Sequence, residues 1–413
     1  MSDFNAASLS AQLRAGAAGT LQRDRLLVLH TPLGANKLLA ERLDGVECID
    51  GGGFRFELTA LSDDAHIELK TLMGQGVRLD LQTAQSRTEL RPFHGHVTEA
   101  ECVSSNGGMA RYRLVIEPWL AFLRHRQDSC LFQHQNVFDI VDAVFARYQS
   151  QGKLAVQWRW EIAQRDIYPV RGITTQYQES DFDFVARLLA EEGLFYWVEH
   201  ATGKDGNIGS HTLVIADHNG AFRANAQATI RFHRADASES EDTIQQWRGS
   251  RQLQTNSLAQ QSWDYKSVSA RPVQQQSRGS DSDASAPTSS NKHRVLQWSD
   301  DPGVYGWETS AQGERLLSNA LQALELRNKR FEGQSAVRTL APATTFTLTG
   351  HEQHDKDSEE DRRFAVLAVR HIARNNFDED LRAGVGERLG LPDIGTVFDA
   401  PEDSGNAAAG PDT

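Results

Sequence analysis

Two histidine groups hold most of the chain's capacity for chemistry. His351-Glu352-Gln353-His354-Asp355 puts two imidazoles and two carboxylates into five positions. The HExxH metal motif needs histidines four apart on one helical face. Here they stand three apart in a polar stretch, with no third ligand indicated. A structural or solvated loop is therefore expected rather than a metal centre. His94 and His96 fall on one side of a strand and could chelate, but a half-exposed strand pair is the expectation. Asp181 and Asp183 resemble a catalytic carboxylate pair. Their place in the first turn of a helix explains them, because acidic groups there complement the macrodipole. Glu191 and Glu192, near the end of that helix, lack this explanation. Catalysis is one reading, and solvent exposure or an interface is preferred. Trp158, Trp160, Phe195, Tyr196 and Trp197 concentrate aromatic surface that could stack on sugars or bases. Core and subunit interface are the expected uses. No GxSxG elbow, Walker loop or CxxC pair occurs.

The most informative supporting element is Tyr177 to His200, YQESDFDFVARLLAEEGLFYWVEH. Ser180 sits at an N-cap with Asp183 three residues on, a near capping box. Phe184, Val185, Leu188 and Leu189 recur at helical spacing. Gly193 stops the helix, and Leu194 to Val198 reads as a buried strand. A second helix is predicted after Asn136, with Val137, Ile140, Val141, Val144, Phe145 and Tyr148 inward. A third is predicted over Glu308 to Leu326.

Strands are predicted from period-two patterns. Leu26 to His30 forms an apolar run. Phe54, Phe56, Leu58 and Ala60 alternate with polar residues, as do Val77, Leu79 and Leu81. A hairpin is expected from His96 to Val103, with a turn at Ser104 to Gly108 and a return strand through Tyr112, Leu114 and Ile116. Gly51-Gly52-Gly53 precedes a strand rather than joining strand to helix, so a loop is expected and not a phosphate cradle. Further strands are predicted at Leu154 to Trp160, Leu213 to Ile215, Thr229 to Phe232, Ile244 to Trp247, Phe346 to Leu348 and Phe364 to His371. Gln274 to Asn291 is low in complexity and reads as a mobile loop.

Bulk properties exclude several classes. The chain has 413 residues, is 39% hydrophobic and 24% charged, and carries a net charge of −13. Length suggests two or three domains. The acidic balance opposes general nucleic-acid binding. Three cysteines without a CxxC pair oppose a disulfide scaffold and point to synthesis in a reducing cytoplasm. Met1–Ser10 has no basic start and no apolar core, so no Sec-type signal peptide is expected. No run approaches the ~18 apolar residues of a membrane span.

Several of these stretches also carry a resemblance. The Tyr177–His200 segment looks like the signature of VgrG proteins, the spike-tip components of the type VI secretion system. Tyr112-Arg113-Leu114 and Glu117-Pro118-Trp119-Leu120 look like that family's first-barrel hairpin and exit. Arg330-Phe331-Glu332-Gly333, then Val337 to Pro342 and Phe346 to His351, resemble its second-barrel motif. Together these cover roughly residues 25 to 380 in family order.

The resemblance implies an α+β, β-rich fold with two tube-type antiparallel β-barrels and an intervening helix/strand region. The expected divisions are a flexible start (1–22), a first barrel (23–125), a helix/strand region (126–240), a second barrel (241–390) with the mobile loop 274–291, and a connector or tail (391–413). The structural positions carried by the signature are Ser180, Asp181, Phe182, Asp183, Phe184, Leu188, Leu189, Gly193, Phe331, Gly333, Pro342 and Gly350. The implied role is mechanical and non-enzymatic. A homotrimeric hub would cap the hexameric Hcp tube beside baseplate components, carry effectors or adaptors, and leave the cytoplasm through the secretion apparatus. No cofactor, metal, nucleic acid or membrane anchor is implied. In the family an OB-fold and a needle follow a segment like Leu391 to Val397. This implies a truncated product, half of a split gene or an isolated domain, and leaves trimerisation without the needle open. A phage tail baseplate hub is the alternative on the same fold. A metal-dependent envelope-polymer hydrolase using the histidines is the remaining one.

Overall fold

The computed structural model describes residues 25–84, 90–106, 108–149, 152–203, 208–233, 241–276 and 296–390. The expected flexible start and the connector lie outside these residues, as does most of the expected 274–291 loop. Gln274 to Gln276 belong instead to a strand.

Six strands open the chain: β1 (Leu27–His30), β2 (Leu39–Cys48), β3 (Phe54–Ser62), β4 (Gly76–Leu81), β5 (Arg91–Asn106) and β6 (Met109–Glu117). Alternation works as predicted in β3, where Phe54, Phe56, Leu58 and Ala60 are buried. The strands are antiparallel in the order β1-β4-β5-β6-β3-β2. The β5–β6 hairpin is tighter than expected, since Asn106 already pairs with Met109. Gly108 supplies the positive φ this reversal needs, 76°. The second face of β6 is covered as well: Val115 is buried, and so is Arg111, which forks onto both Glu41 oxygens at 2.7 and 2.8 Å.

The middle region contains β7 (Gln127–Gln135), α1 (Val137–Gln149), β8 (Trp158–Glu161), β9 (Arg171–Ser180), α2 (Asp181–Glu192), β10 (Phe195–Thr202) and β11 (Gly209–Ala216). Asn136 caps α1 by accepting the Asp139 amide at 3.0 Å. The predicted stripe from Val137 to Tyr148 is buried. β7 and β9 form a ribbon, and β10, β11 and β8 form a sheet. The strand expected from Leu154 starts only at Trp158. One reason is local: the Ala155 amide bonds a histidine ring instead of a ladder carbonyl. Phe56, Tyr112, Trp119, Phe145, Phe184 and Leu188 share one continuous core, so the first sheet and the middle helices fold as one body.

Next come β12 (Arg223–Arg231), β13 (Ile244–Arg251), β14 (Ser257–Asp264), β15 (Ser269–Gln276), β16 (Gln297–Asp300), α3 (Ser310–Asn328), β17 (Lys329–Ser335), β18 (Thr344–Thr349) and β19 (Arg363–Ala365). β12-β18-β19 is one sheet and β13-β17 another, joined by a bridge from Phe232 to Ile244. β15-β14-β16 packs under α3 around Leu258, Val273, Trp307, Leu317 and Leu321.

The single strand expected over Phe364 to His371 is two. Ala365 ends β19, and β20 (Ala368–Arg374) returns to pair antiparallel with β2. At the break, the Val366 amide still bonds Thr344, while the Leu367 carbonyl accepts from Ile49. The chain thus leaves one sheet and completes the other within two residues. Asn375 then clips the curl: its Nδ2 donates to the Leu27 and Ala40 carbonyls at 2.8 and 2.7 Å, and its Oδ1 accepts the Leu27 amide. The result is the expected α+β, β-rich class, built on a curled half-barrel sheet. A final helix, α4 (Glu379–Leu389), starts on an Asp378 cap and buries Leu381 and Val385 against Leu39, Leu61 and Met109.

Candidate functional site

The signature segment forms the joint between the ribbon and the helices. Ser180 caps α2 as predicted, its Oγ accepting the Asp183 amide at 3.0 Å and donating to the Asp183 carboxylate at 2.7 Å. Phe184, Val185, Leu188 and Leu189 are buried, and Phe182 lies under the Arg124 guanidinium. Asp181 departs from the expectation. It is 0% exposed, so the helix macrodipole alone does not account for it. Its carboxylate accepts from Tyr148 Oη and Gln176 Nε2, both at 2.8 Å, and from Arg126 at 3.3 Å. One buried charge thereby ties α1, β9 and the entry to β7. A charge in that position survives only when its lone pairs are taken. The capping pattern signalled the helix start, but nothing local signalled these partners.

Glu191 and Glu192 divide at the other end of α2. Glu191 is exposed and pairs with Arg171 and Arg187. Glu192 is buried, bound by Arg171 and by Arg315 of α3. It serves an interface within the chain. Gly193 ends the helix at φ 74°, and a Cβ there would meet the Asn319 side chain of α3. Asn319 in turn donates to the Glu192 carbonyl at 3.2 Å.

The second motif is aromatic. Phe331 stacks on Trp247 with ring centres 5.4 Å apart, and Phe364 meets both edge-on at 4.9 Å. Gly333 lies opposite Trp247 in the ladder, where a Cβ would press on the indole. Pro342 sits in the turn before β18, and Gly350 follows that strand at φ 73°. The neighbouring His351 lines an open cleft of about 770 Å³ with Trp247, Gln246 and Gln353. His354 turns inward, accepting from the Trp247 indole at 3.1 Å while facing Asp357 at 3.1 Å through its other nitrogen. Its lone pair is thus committed to the fold. Among the described residues, no group of three or more His, Cys, Asp and Glu side chains is placed to hold a metal.

His94 and His96 are not half-exposed, as their strand pattern suggested; they are buried. Both faces of β5 are covered there, so alternation carried no signal. His94 Nδ1 lies 2.8 Å from His211 Nδ1 of β11, and His211 Nε2 accepts the Trp119 amide at 2.9 Å. His96 accepts the Ala155 amide at 3.3 Å and faces the Gly74 carbonyl at 3.1 Å. His200 of β10 accepts the His94 amide at 3.1 Å and faces Glu47 at 3.3 Å. Glu47 is also bound by His371 at 2.7 Å and Arg91 at 2.5 Å. Burial works against its charge, but Arg91 and the two imidazoles hold its carboxyl well below the usual range. Burial pushes the nearby Cys48 thiol up to about 11, which makes it a poor nucleophile. The aromatic residues divide in the same manner: Tyr196 and Trp197 are core, and the indoles of Trp158 and Trp160 both donate to Asp142.

The site is thus a half-barrel completed by a returning strand, with a capped helix running into the middle sheet. The profile of the phage tail baseplate hub (GPD) family matches residues 47–377, and the chain belongs to that family. Among curated proteins it is similar to two type VI secretion system spike proteins of Pseudomonas aeruginosa. VgrG1b is 29% identical over 374 residues, 89% of this chain and 46% of the relative. VgrG1a is 28% identical over 375 residues, 89% and 53% respectively. The chain thus spans about half the length of the curated relatives it matches. Two solved structures share the fold. An E. coli component of the type VI secretion system, described as similar to the T4 bacteriophage tail proteins gp27 and gp5, superposes with a TM-score of 0.56 at 17% identity, covering 84% of this chain and 73% of that one. A tail protein from Neisseria meningitidis gives 0.55 at 12% identity, with coverage of 85% and 92%.

Proposed function

We propose that this chain is the hub portion of a type VI secretion spike. In this reading three copies assemble around a threefold axis, their β-rich units form a pseudo-sixfold ring, and the ring caps the hexameric Hcp tube. Its work is steric: the ring passes force from the tube to whatever lies ahead of it, including effectors or adaptors, and makes or breaks no bond. Baseplate components surround it before firing, and it leaves the cell through the apparatus. The family match over residues 47–377 carries this reading. The committed lone pairs of His354, His96 and His211 also support it, since these side chains are used in holding the fold. Among the described residues no helix is long and apolar enough to cross a membrane.

Sedimentation and negative-stain microscopy of the purified chain, with and without Hcp hexamers, test the proposal. A three-copy ring that binds the hexamer is expected. Monodisperse monomer at high concentration with no Hcp binding would sink it. A phage-derived tail hub is the second reading, favoured by the comparable fit to the Neisseria tail protein. Neighbouring tape-measure and tail-fibre genes would select it, whereas sheath and membrane-complex genes would select the spike.

A further inference from the structure

We propose that the buried histidines form an acid-release joint, in which proton uptake by His94, His96 and His211 uncouples the β10-β11-β8 sheet from β5 while the first sheet stays folded. This stands apart from the hub reading, because a monomeric chain would carry it equally.

The hydrogen bonds fix each ring's protons. His211 Nε2 accepts a main-chain N–H from Trp119, so its proton is on Nδ1. That proton points at His94 Nδ1, which therefore accepts and places its own proton on Nε2. His96 accepts the Ala155 amide on Nε2 and donates from Nδ1 to the Gly74 carbonyl. Every basic nitrogen in the trio already faces a donor. An added proton has no acceptor and must displace an N–H, and each displaced bond is one that spans the seam or its flanks. The three rings are 2%, 0% and 0% exposed, so water cannot take up the orphaned donors in the closed state.

Charged neighbours reinforce this. Arg78 of β4 donates to the Ile208 carbonyl across the seam and opposes charge on His94. From β2 comes Glu47, already shared by Arg91 of β5, His200 of β10 and His371 of β20. The His94 carbonyl also lies 3.1 Å from His200 Nδ1. The Trp119 turn and the segment through Ala155 contribute main-chain amides to the trio. Burial and the neighbouring His96, His200 and Arg78 push His94 down to about 3; burial also lowers His96, and places His211 well below its ordinary value. A depressed histidine stabilises the closed joint fully above the unfolded pKa of about 6.5, and that stability is lost as pH falls below it.

Hydrogen exchange on the full chain between pH 7.5 and 5, corrected for intrinsic rate, tests the joint. Protection at Trp119, Ala155 and Leu213 is expected to fall while that of Leu58 and Leu114 holds. The opening constant should be nearly flat above about pH 6.5 and, below it, rise towards tenfold per pH unit for each histidine, a combined limiting slope near three. His94→Asn keeps an acceptor for His211 and should lower the slope by about one, whereas the exposed control His125→Asn should leave it unchanged. An unaltered slope in His94→Asn, pH-independent protection, or simultaneous loss in every segment would each overturn the proposal. If His94→Asn does not fold, ring-nitrogen NMR of the wild type decides. Neutral rings in a protected joint are expected, and a charged His94 or His211 there refutes it.

Discussion

The first sheet with its helices and the region from β12 to β19 reach stability by different routes. The former shares one core from Leu27 to Ile215. Its buried charges are multiply bound: Asp181 by three partners, Glu47 by three, Glu192 by two arginines. The latter is divided into small clusters around Phe346 and Leu317. Two of its strands are wet: β16 is exposed throughout, and β17 has only Phe331 half-buried. Exposed strands leave surface for association. The contrast teaches where rigidity resides and where assembly has room to act.

The largest expected effect breaks this contrast most directly. Leu188→Ala opens a cavity in the shared core and should cost about 3–4 kcal/mol, seen as a lower urea midpoint for the unit containing Trp119. Leu321→Ala should cost about 2–3 kcal/mol and shift only a separate transition of the β14-β15-α3 cluster. One merged transition for both variants would show that the two regions are not independent. Asp181→Ala leaves the Tyr148, Gln176 and Arg126 donors facing one another and should cost about 3 kcal/mol; Asp181→Asn, which keeps an acceptor, should cost less.

Gly193→Ala should cost about 1–2 kcal/mol, from its positive φ and from the Asn319 contact. Adding Asn319→Ala should recover part of this in a double-mutant cycle. Strict additivity would mean the α2–α3 contact carries no energy. The smallest effect concerns Asp50: the residue is exposed, but packing around its carboxyl, which accepts the Tyr196 amide, raises it to about 6. A raised carboxyl contributes stability that is present below its unfolded pKa of about 3.9 and lost as pH rises through about 6. Asp50→Asn should therefore stabilise slightly at pH 8, by no more than about 1 kcal/mol because the residue is exposed, and do little at pH 4. Equal melting shifts at both values would refute that sign.

Periodicity made the helices legible because each depends on neighbours three and four residues away. The stripe of α1 and the cap of α2 were both readable from such local spacing. The β5–β6 hairpin was legible for the same reason, since its turn chemistry is local. What spacing missed was distant. β20 pairs with β2 across more than 320 residues, and no local pattern announces that partner. The burial of Arg111 was equally illegible, because it requires Glu41, from another strand, to be present. His94 and His96 were misjudged because a strand covered on both faces loses its alternation. The family-signature residues were legible as packing and capping positions, whereas the role of Asp181 depended on Tyr148 and Gln176 arriving from other elements.

The Asn375 clip has a consequence for how the chain is made. Leu27 and Asn375 are separated by 348 residues, so β1 cannot be sealed until Asn375 has left the ribosome. At the usual ~5–20 residues per second, that leaves an open β edge waiting roughly 20–70 s. During synthesis the half-barrel sheet is a nascent-chain hazard, and a holdase that shields its early strands should raise the yield.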